Sequence, residues 1–177
     1  MSFTTIAQET IYRGHAFNVR RDELKTPDQR TIHLDIIEHV GAVTLLPVDV
    51  QRRILFVRQY RHATGQELLE LPAGTLDEGE LPEVCAHREI REETGFAAGK
   101  MEKLGEFFLA PGYSTEYMVV FLASDLTRAP LPGDPDEFIT LQPIPVEEAY
   151  NMALRGEIQD GKSLAALLLA RSHLLSA

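Results

Sequence analysis

Between Pro82 and Gly95 the chain has room for one short helix, and what that helix carries constrains the fold more than any other segment. Proline suits a first helical turn, where its missing N–H costs nothing, and glycine suits the left-handed position just past a helix end. Inside this bracket Glu89 and Glu93 fall at i, i+4, and Glu92 adds an i, i+3 neighbour to Glu89. Like charges at those spacings repel by about a few tenths of a kcal/mol per pair. Arg88 and Arg91 offset part of the charge but, at about 100° per residue, are expected to point away from the acidic face. Glu80 supplies a further carboxylate in the preceding loop. A cluster of this density reads as a seat for hard divalent cations, which prefer carboxylate oxygen. Ala86 and Ile90 lie beside the acidic stripe and are expected to dock the helix on a sheet.

The rest of the chain is compatible with a single α/β (α+β) domain. Its 177 residues suffice for a proper core, and a 44% apolar and 25% charged composition is that of a globular protein rather than a disordered one. The formal net charge of −10 argues against general nucleic-acid or anionic-membrane binding. It leaves room for a phosphorylated small substrate, because bound metal ions can invert the local charge. No apolar stretch approaches the roughly 20 residues of a membrane span. The polar N-terminus lacks a signal-peptide core, and the single Cys85 fits a reducing compartment, so a cytoplasmic location is expected. Cys85 reads as a small helix residue rather than a nucleophile.

Extended segments are expected over His15 to Arg20 and Thr31 to His39, with turn chemistry at Lys25 to Gln29 between them. Ala42 to Val48 and Arg53 to Tyr60 read as buried strands, and Glu67 to Leu71 as a short strand stopped by Pro72. Further strands are expected over Met101 to Leu109, Tyr117 to Ala123 and Ile139 to Ile144. Helices are expected over Val146 to Leu154 and Ser163 to Leu175, the latter with Leu164, Leu167, Leu168 and Leu175 near one face. Arg128 to Asp136, rich in Pro and Gly, reads as a loop. Strands interleaved with few helices imply a mixed sheet between helical layers. The six histidines are scattered without a metal-binding spacing and read as structural or solvent-facing.

The segment Gly74 to Phe96 resembles the Nudix box: Gly, five residues, Glu, seven residues, Arg-Glu, an aliphatic residue, any residue, Glu-Glu, any residue, Gly and an apolar residue. Gly74, Glu80, Arg88, Glu89, Ile90, Glu92, Glu93, Gly95 and Phe96 fill its positions. A match this long is far more specific than a lone glycine motif. The resemblance implies a Nudix-type α/β/α sandwich that cleaves a nucleoside diphosphate linked to another group. It also implies two or three Mg2+ ions (Mn2+ as substitute) held by Glu89, Glu93 and the carbonyl of Ala73, with Glu92 an outer or alternate ligand. Glu80, by the same comparison, orients Arg88 and the loop.

Outside the box, Arg58-Gln59-Tyr60-Arg61 followed by Glu70-Leu71-Pro72-Ala73-Gly74 resembles the ADP-ribose pyrophosphatase branch. Arg61 is then the expected phosphate contact, since a guanidinium forks onto phosphate oxygens. Sixteen residues beyond Gly95, Pro111 matches that branch's next signature, and its loop with Glu116 is implied to line the substrate cleft. The acidic stretch Gly133-Asp134-Pro135-Asp136-Glu137-Phe138 resembles a loop that covers the substrate and brings a catalytic glutamate. Pro135 between the acids departs from that pattern. Glu137 is the preferred general base, with Glu116 and a water held by Glu93 as rivals.

The implied reaction is ADP-ribose plus water giving AMP and ribose 5-phosphate. GDP-mannose, whose hydrolases share the Glu-Leu-Pro-Ala-Gly segment, is the alternative substrate, and a non-catalytic nucleotide sensor a more distant one. The resemblance runs from about Val40 to Leu169, so residues 40–177 are expected to form the Nudix domain. Residues 1–39 are expected to form an N-terminal antiparallel β region, and the resemblance implies a homodimer in which such N-terminal strands are exchanged.

Overall fold

The computed structural model describes residues 2–135 and 137–175, and divides into two compact units. Met1–Gly41 with Phe108–Tyr117 forms the first, and Ala42–Phe107 with Met118–Ala177 the second.

The first unit is an antiparallel sheet of β1 (Thr4–Arg13), β2 (Asn18–Lys25) and β3 (Thr31–Glu38) in that spatial order. Strand β1 is absent from the sequence reading, and β2 lies further along the chain than the expected His15 to Arg20. Both are polar strands without clean apolar alternation. Strand β1 is held by its backbone ladder to β2 and by Gln8, which donates to Asp22 at 3.2 Å, whereas β2 adds ion pairs: Arg20 forks onto Asp22 and reaches Glu38, and Arg21 meets Asp35 at 2.7 Å across β2 and β3. The turn between β2 and β3 falls where expected, closed by the Thr26 N–H on the Arg30 carbonyl at 2.9 Å. The 108–117 segment joins this unit through a parallel bridge from Ser114 to Ile37. There the Ile37 N–H donates to the Tyr113 carbonyl at 2.7 Å and the Thr115 N–H to the Ile37 carbonyl at 2.9 Å.

The second unit contains two sheets. One has the order β10 (Ile139–Pro145), β5 (Arg53–Arg61), β6 (Gln66–Glu70), all antiparallel. The other is mixed, in the order β7 (Ala73–Thr75), β4 (Ala42–Pro47), β9 (Tyr117–Arg128), β8 (Phe96–Phe108), with β4 antiparallel to β7 and parallel to β9. Every residue of β4 is buried, the signature of a strand covered on both faces. Ala42 and Leu46 join a core with Phe56, Met118 and Val120, closed by α2 (Val146–Leu154) and α3 (Gly161–Leu174). Val43 and Leu45 alternate to the opposite face, where α1 (Pro82–Thr94) lies with Ala86 and Ile90 fully buried. The result is the α/β/α sandwich that the strand and helix pattern implies.

Helix α3 departs from its expected register. Ser163, Ala166, Leu167, Ala170 and Leu174 face inward, whereas Leu168 is 72% exposed. Small residues let the helix lie close to the sheet, and Leu164, Leu168 and Leu169 are left on the outer face. The helix also begins earlier than Ser163, because Asp160 caps it by accepting the Ser163 N–H at 3.0 Å. Among the described residues, no helix is long and apolar enough to cross a membrane.

Candidate active site

Helix α1 starts at Pro82 and is capped just past Thr94 by Gly95, whose left-handed backbone (φ 77°) lets its N–H return to the Arg91 carbonyl at 3.1 Å. Burying Cys85, Ala86 and Ile90 against the sheet turns Glu89 and Glu93 toward the Leu71–Gly74 crossing between β6 and β7. Glu89 is only 8% exposed. Its carboxylate lies so close to Gly74 that a Cβ there would sit 1.8 Å from it, which is the steric reason for glycine at this position. Glu93, partly buried, accepts the Ala73 N–H at 3.3 Å.

Arg88 does not point away from this face, as the helical angle alone predicts. The side chain is long enough to turn back, and one guanidinium serves three carboxylates. Nη1 donates to Glu89 at 2.5 Å and to Glu92 at 3.0 Å, while Nε and Nη2 fork onto Glu80 at 3.2 and 3.0 Å. Nη2 also reaches the Thr75 carbonyl at 3.3 Å, tying the loop to the helix. Glu80 additionally accepts the Asp77 N–H at 3.0 Å. The Arg88 fork holds the Glu80 carboxyl below its usual range, and Glu80 in turn raises the pKa of Arg88.

The deeper carboxylates behave in the opposite way. Burial pushes Glu93 up to about 8, reinforced by the charges of Glu89 and Glu137 and only partly countered by the Ala73 N–H and Lys162. Burial likewise pushes Glu89 up to about 7, against Arg88, with Glu92 and Glu137 adding to the rise. Glu137 is exposed, and its N–H donates to the Asp134 carbonyl at 3.1 Å. Asp136 lies outside the described residues. The stem of the acidic loop is fastened to α1: the Leu131 N–H meets the Arg91 carbonyl at 3.3 Å, and Arg91 Nε the Ala129 carbonyl at 2.9 Å.

Among the described residues, no three His, Cys, Asp or Glu side chains converge into a closed metal cage, since Glu89 and Glu92 turn to Arg88. The donor chemistry nevertheless fits a hard cation. All the available side-chain donors are carboxylate oxygens, and two of them, Glu89 and Glu93, resist ionising because they are buried and, second to that, because neighbouring carboxylates repel their charge. Cys85 offers no soft ligand, because burial pushes its thiol up to about 12.

Arg61, expected to meet phosphate, spends its fork on Glu70, with Nε and Nη2 at 2.8 and 2.7 Å from the two carboxylate oxygens. Glu70 is 1% exposed and also accepts from Lys162, which reaches Asp160 at 3.0 Å. Nothing local in the sequence marks Glu70 and Lys162 as partners. The cap spacing from Asp160 to Ser163 was the available signal for this corner. Pro111 and Glu116 belong to the first unit, in a loop where the Leu109 N–H donates to the Glu116 carbonyl at 3.1 Å.

A family model described as the NUDIX domain matches residues 38–167. The ADP-ribose pyrophosphatase of Mycobacterium tuberculosis is 39% identical over 169 residues, covering 94% of this chain and 82% of that protein. The GDP-mannose pyrophosphatase of Enterobacter sp. is 42% identical over 136 residues, covering 72% of this chain and 71% of that one. A crystal structure of an ADP compounds hydrolase superposes with a TM-score of 0.89 at 26% identity, covering 98% of this chain and 95% of the other. The chain belongs to the Nudix family and is a hydrolase.

Proposed function

We propose that this protein hydrolyses the pyrophosphate of ADP-ribose to AMP and ribose 5-phosphate, in the cytoplasm and as a homodimer, with Mg2+ as its cofactor. The observation that carries this reading is the α1 carboxylate cluster seated against Gly74, in a chain whose similarity to a named ADP-ribose pyrophosphatase runs over 94% of its length. Glu89, Glu92, Glu93 and the Ala73 carbonyl would hold the ions. When bound, Mg2+ neutralises the pyrophosphate oxygens and lowers the pKa of a coordinated water.

The chain's own residues do the positioning. Arg88, fixed by Glu80, holds Glu89 and Glu92 in place. Glu137 accepts the proton of the attacking water as an oxygen–phosphorus bond forms and the bridging bond breaks, the proton balance closing on the two phosphate products. Arg61 Nη1, the guanidinium nitrogen outside the Glu70 fork, is assigned to substrate phosphate, and Pro111 and Glu116 to substrate binding. The dimer reading is supported by the first unit itself. Strand β1 is exposed along its whole length, and Phe3, Ile6, Ile11 and Tyr12 are exposed with it.

The GDP-mannose relative at 42% identity favours a second reading, hydrolysis of that sugar nucleotide. Phosphate release after phosphatase treatment should be measured with ADP-ribose, GDP-mannose, NADH and diadenosine polyphosphates in Mg2+. Preference for ADP-ribose is expected; a strong preference for GDP-mannose overturns the substrate, and no turnover of any overturns the activity. Light scattering at micromolar concentration should return twice the chain mass, and a monomer would refute the dimer.

A further inference from the structure

Between Glu70 and Ala73 the chain leaves one sheet and enters the other, and over this crossing strand pairing cannot satisfy the backbone. Pro72 has no N–H to offer, and its carbonyl accepts the Leu45 N–H at 2.8 Å. The N–H of Leu71, a residue 1% exposed, is taken by a side chain distant in sequence: Ser163 Oγ, at 2.7 Å and itself fully buried. The Ser163 hydroxyl proton goes to Asp160, which fixes the oxygen lone pairs toward Leu71. One residue earlier in α3, Lys162, 8% exposed, donates to Glu70 and Asp160. The start of α3 thus grips two consecutive residues of the crossing, Glu70 through its carboxylate and Leu71 through its amide. Two residues on, the Ala73 N–H meets Glu93.

We infer that Ser163 is a positioning residue: with Asp160 and Lys162 it fixes the 70–73 crossing, and so sets Ala73 at the height where it orients Glu93 for the cation. This rests on the reading of Glu93 and Ala73 as cation-holding groups. A helix on the far side of the core from α1 would then govern cation affinity without touching the cation. Outer partners of this kind are worth about 10- to 100-fold in metal affinity.

The test compares Ser163→Ala, Ser163→Thr and a same-helix control, Leu174→Ala, chosen to weaken α3 without touching the crossing. Mn2+ binding is read by the loss of its free paramagnetic resonance signal, with Mg2+-dependent kcat and KM for the best sugar nucleotide and thermal unfolding measured in parallel. Ser163→Ala is expected to weaken Mn2+ binding by about 10-fold or more and to lower kcat, with Ser163→Thr, which keeps the hydroxyl, returning both to within about threefold of wild type. Leu174→Ala should unfold earlier yet bind Mn2+ as wild type does. Equal Mn2+ affinity in Ser163→Ala and wild type overturns the inference, as does equal loss of affinity in Leu174→Ala. If Ser163→Ala fails to fold, Lys162→Met takes its place with Lys162→Arg as the conservative partner, under the same criteria. Failure of the functional reading looks different: wild type itself would neither bind Mn2+ nor turn over a sugar nucleotide.

Discussion

Gly74→Ala separates what the acidic cluster does for the fold from what it does for the reaction. A Cβ at this position would lie 1.8 Å from the Cδ and Oε1 of Glu89 and 2.4 Å from Oε2. Non-bonded atoms settle at about 3.5 Å, so the carboxylate must retreat by about 1.7 Å. Forcing a methyl into a filled site costs about 1–3 kcal/mol. Yet burial holds the Glu89 carboxyl up at about 7 from 4.5, so at pH 8.5 without metal its ionised form already costs the fold on the order of 3 kcal/mol. Moving it toward water relieves part of that, and the two effects nearly offset. We expect the melting temperature in EDTA at pH 8.5 to change by less than about 6 °C. Turnover has no such compensation, because a displacement of about 1 Å at a reacting centre can cost about 100-fold. Steady-state hydrolysis in Mg2+ should therefore fall by about 100-fold or more while circular dichroism stays native. Wild-type turnover would refute the reasoning, since Glu89 would then not be needed where Gly74 lets it sit; global unfolding would refute it by showing that Gly74 serves the fold.

Glu93→Gln should lower kcat by more than about 100-fold with folding intact. The same variant carries a pH signature in EDTA: burial holds the native carboxyl at about 8, so wild type loses stability as pH rises from about 4.5 through 8, and the amide should be the more stable form at pH 8.5 but not at pH 5. Glu70 has the opposite sign. Burial opposes its ionisation, but Arg61 and Lys162 prevail and hold its pKa low, so its contribution is present above the unfolded value of about 4.5 and lost as pH falls. Urea titrations should show Glu70→Gln weaker by about 3–5 kcal/mol at pH 7, with a shallower loss below pH 5; a parallel acid limb would exclude Glu70 from it. Cys85, its thiol pushed up to about 12 by burial, should resist a disulfide exchange reagent at pH 8 in the native protein and react promptly in urea.

What could be read from residues alone depended on how local the cause was. The bounds of α1 were legible because Pro82 and Gly95 are local signals, and the box spacing pointed to one chemistry. Strand β1 was not, because its support is the backbone ladder to β2 and the Gln8–Asp22 hydrogen bond rather than an apolar alternation, and none of its ten residues is buried. The face of α3 is hidden in the sequence because the exposed Leu164, Leu168 and Leu169 outweigh Ser163, Ala166 and Ala170, which with Leu167 and Leu174 face inward. The Glu70–Lys162 pair spans 92 positions and leaves no trace in any window. Arg88 shows the limit of angular reasoning: the helix fixes where Cβ points, but a guanidinium on a long stem reaches across to its neighbours' face.

The mixed sheet has a consequence for how the chain is made. Strand β4 pairs in parallel with β9, Ala42 opposite Met118 and Leu46 opposite Leu122, so its partner leaves the ribosome long after it does. The first hairpins, β1 to β3, close locally and can form early. The edge of Ala42 to Leu46 that faces β9, apolar but for Thr44, must meanwhile wait unpaired, an interval in which non-native strand pairing competes. The burial on both faces that makes β4 the keel of the finished unit also makes it the segment most exposed to misassembly during synthesis.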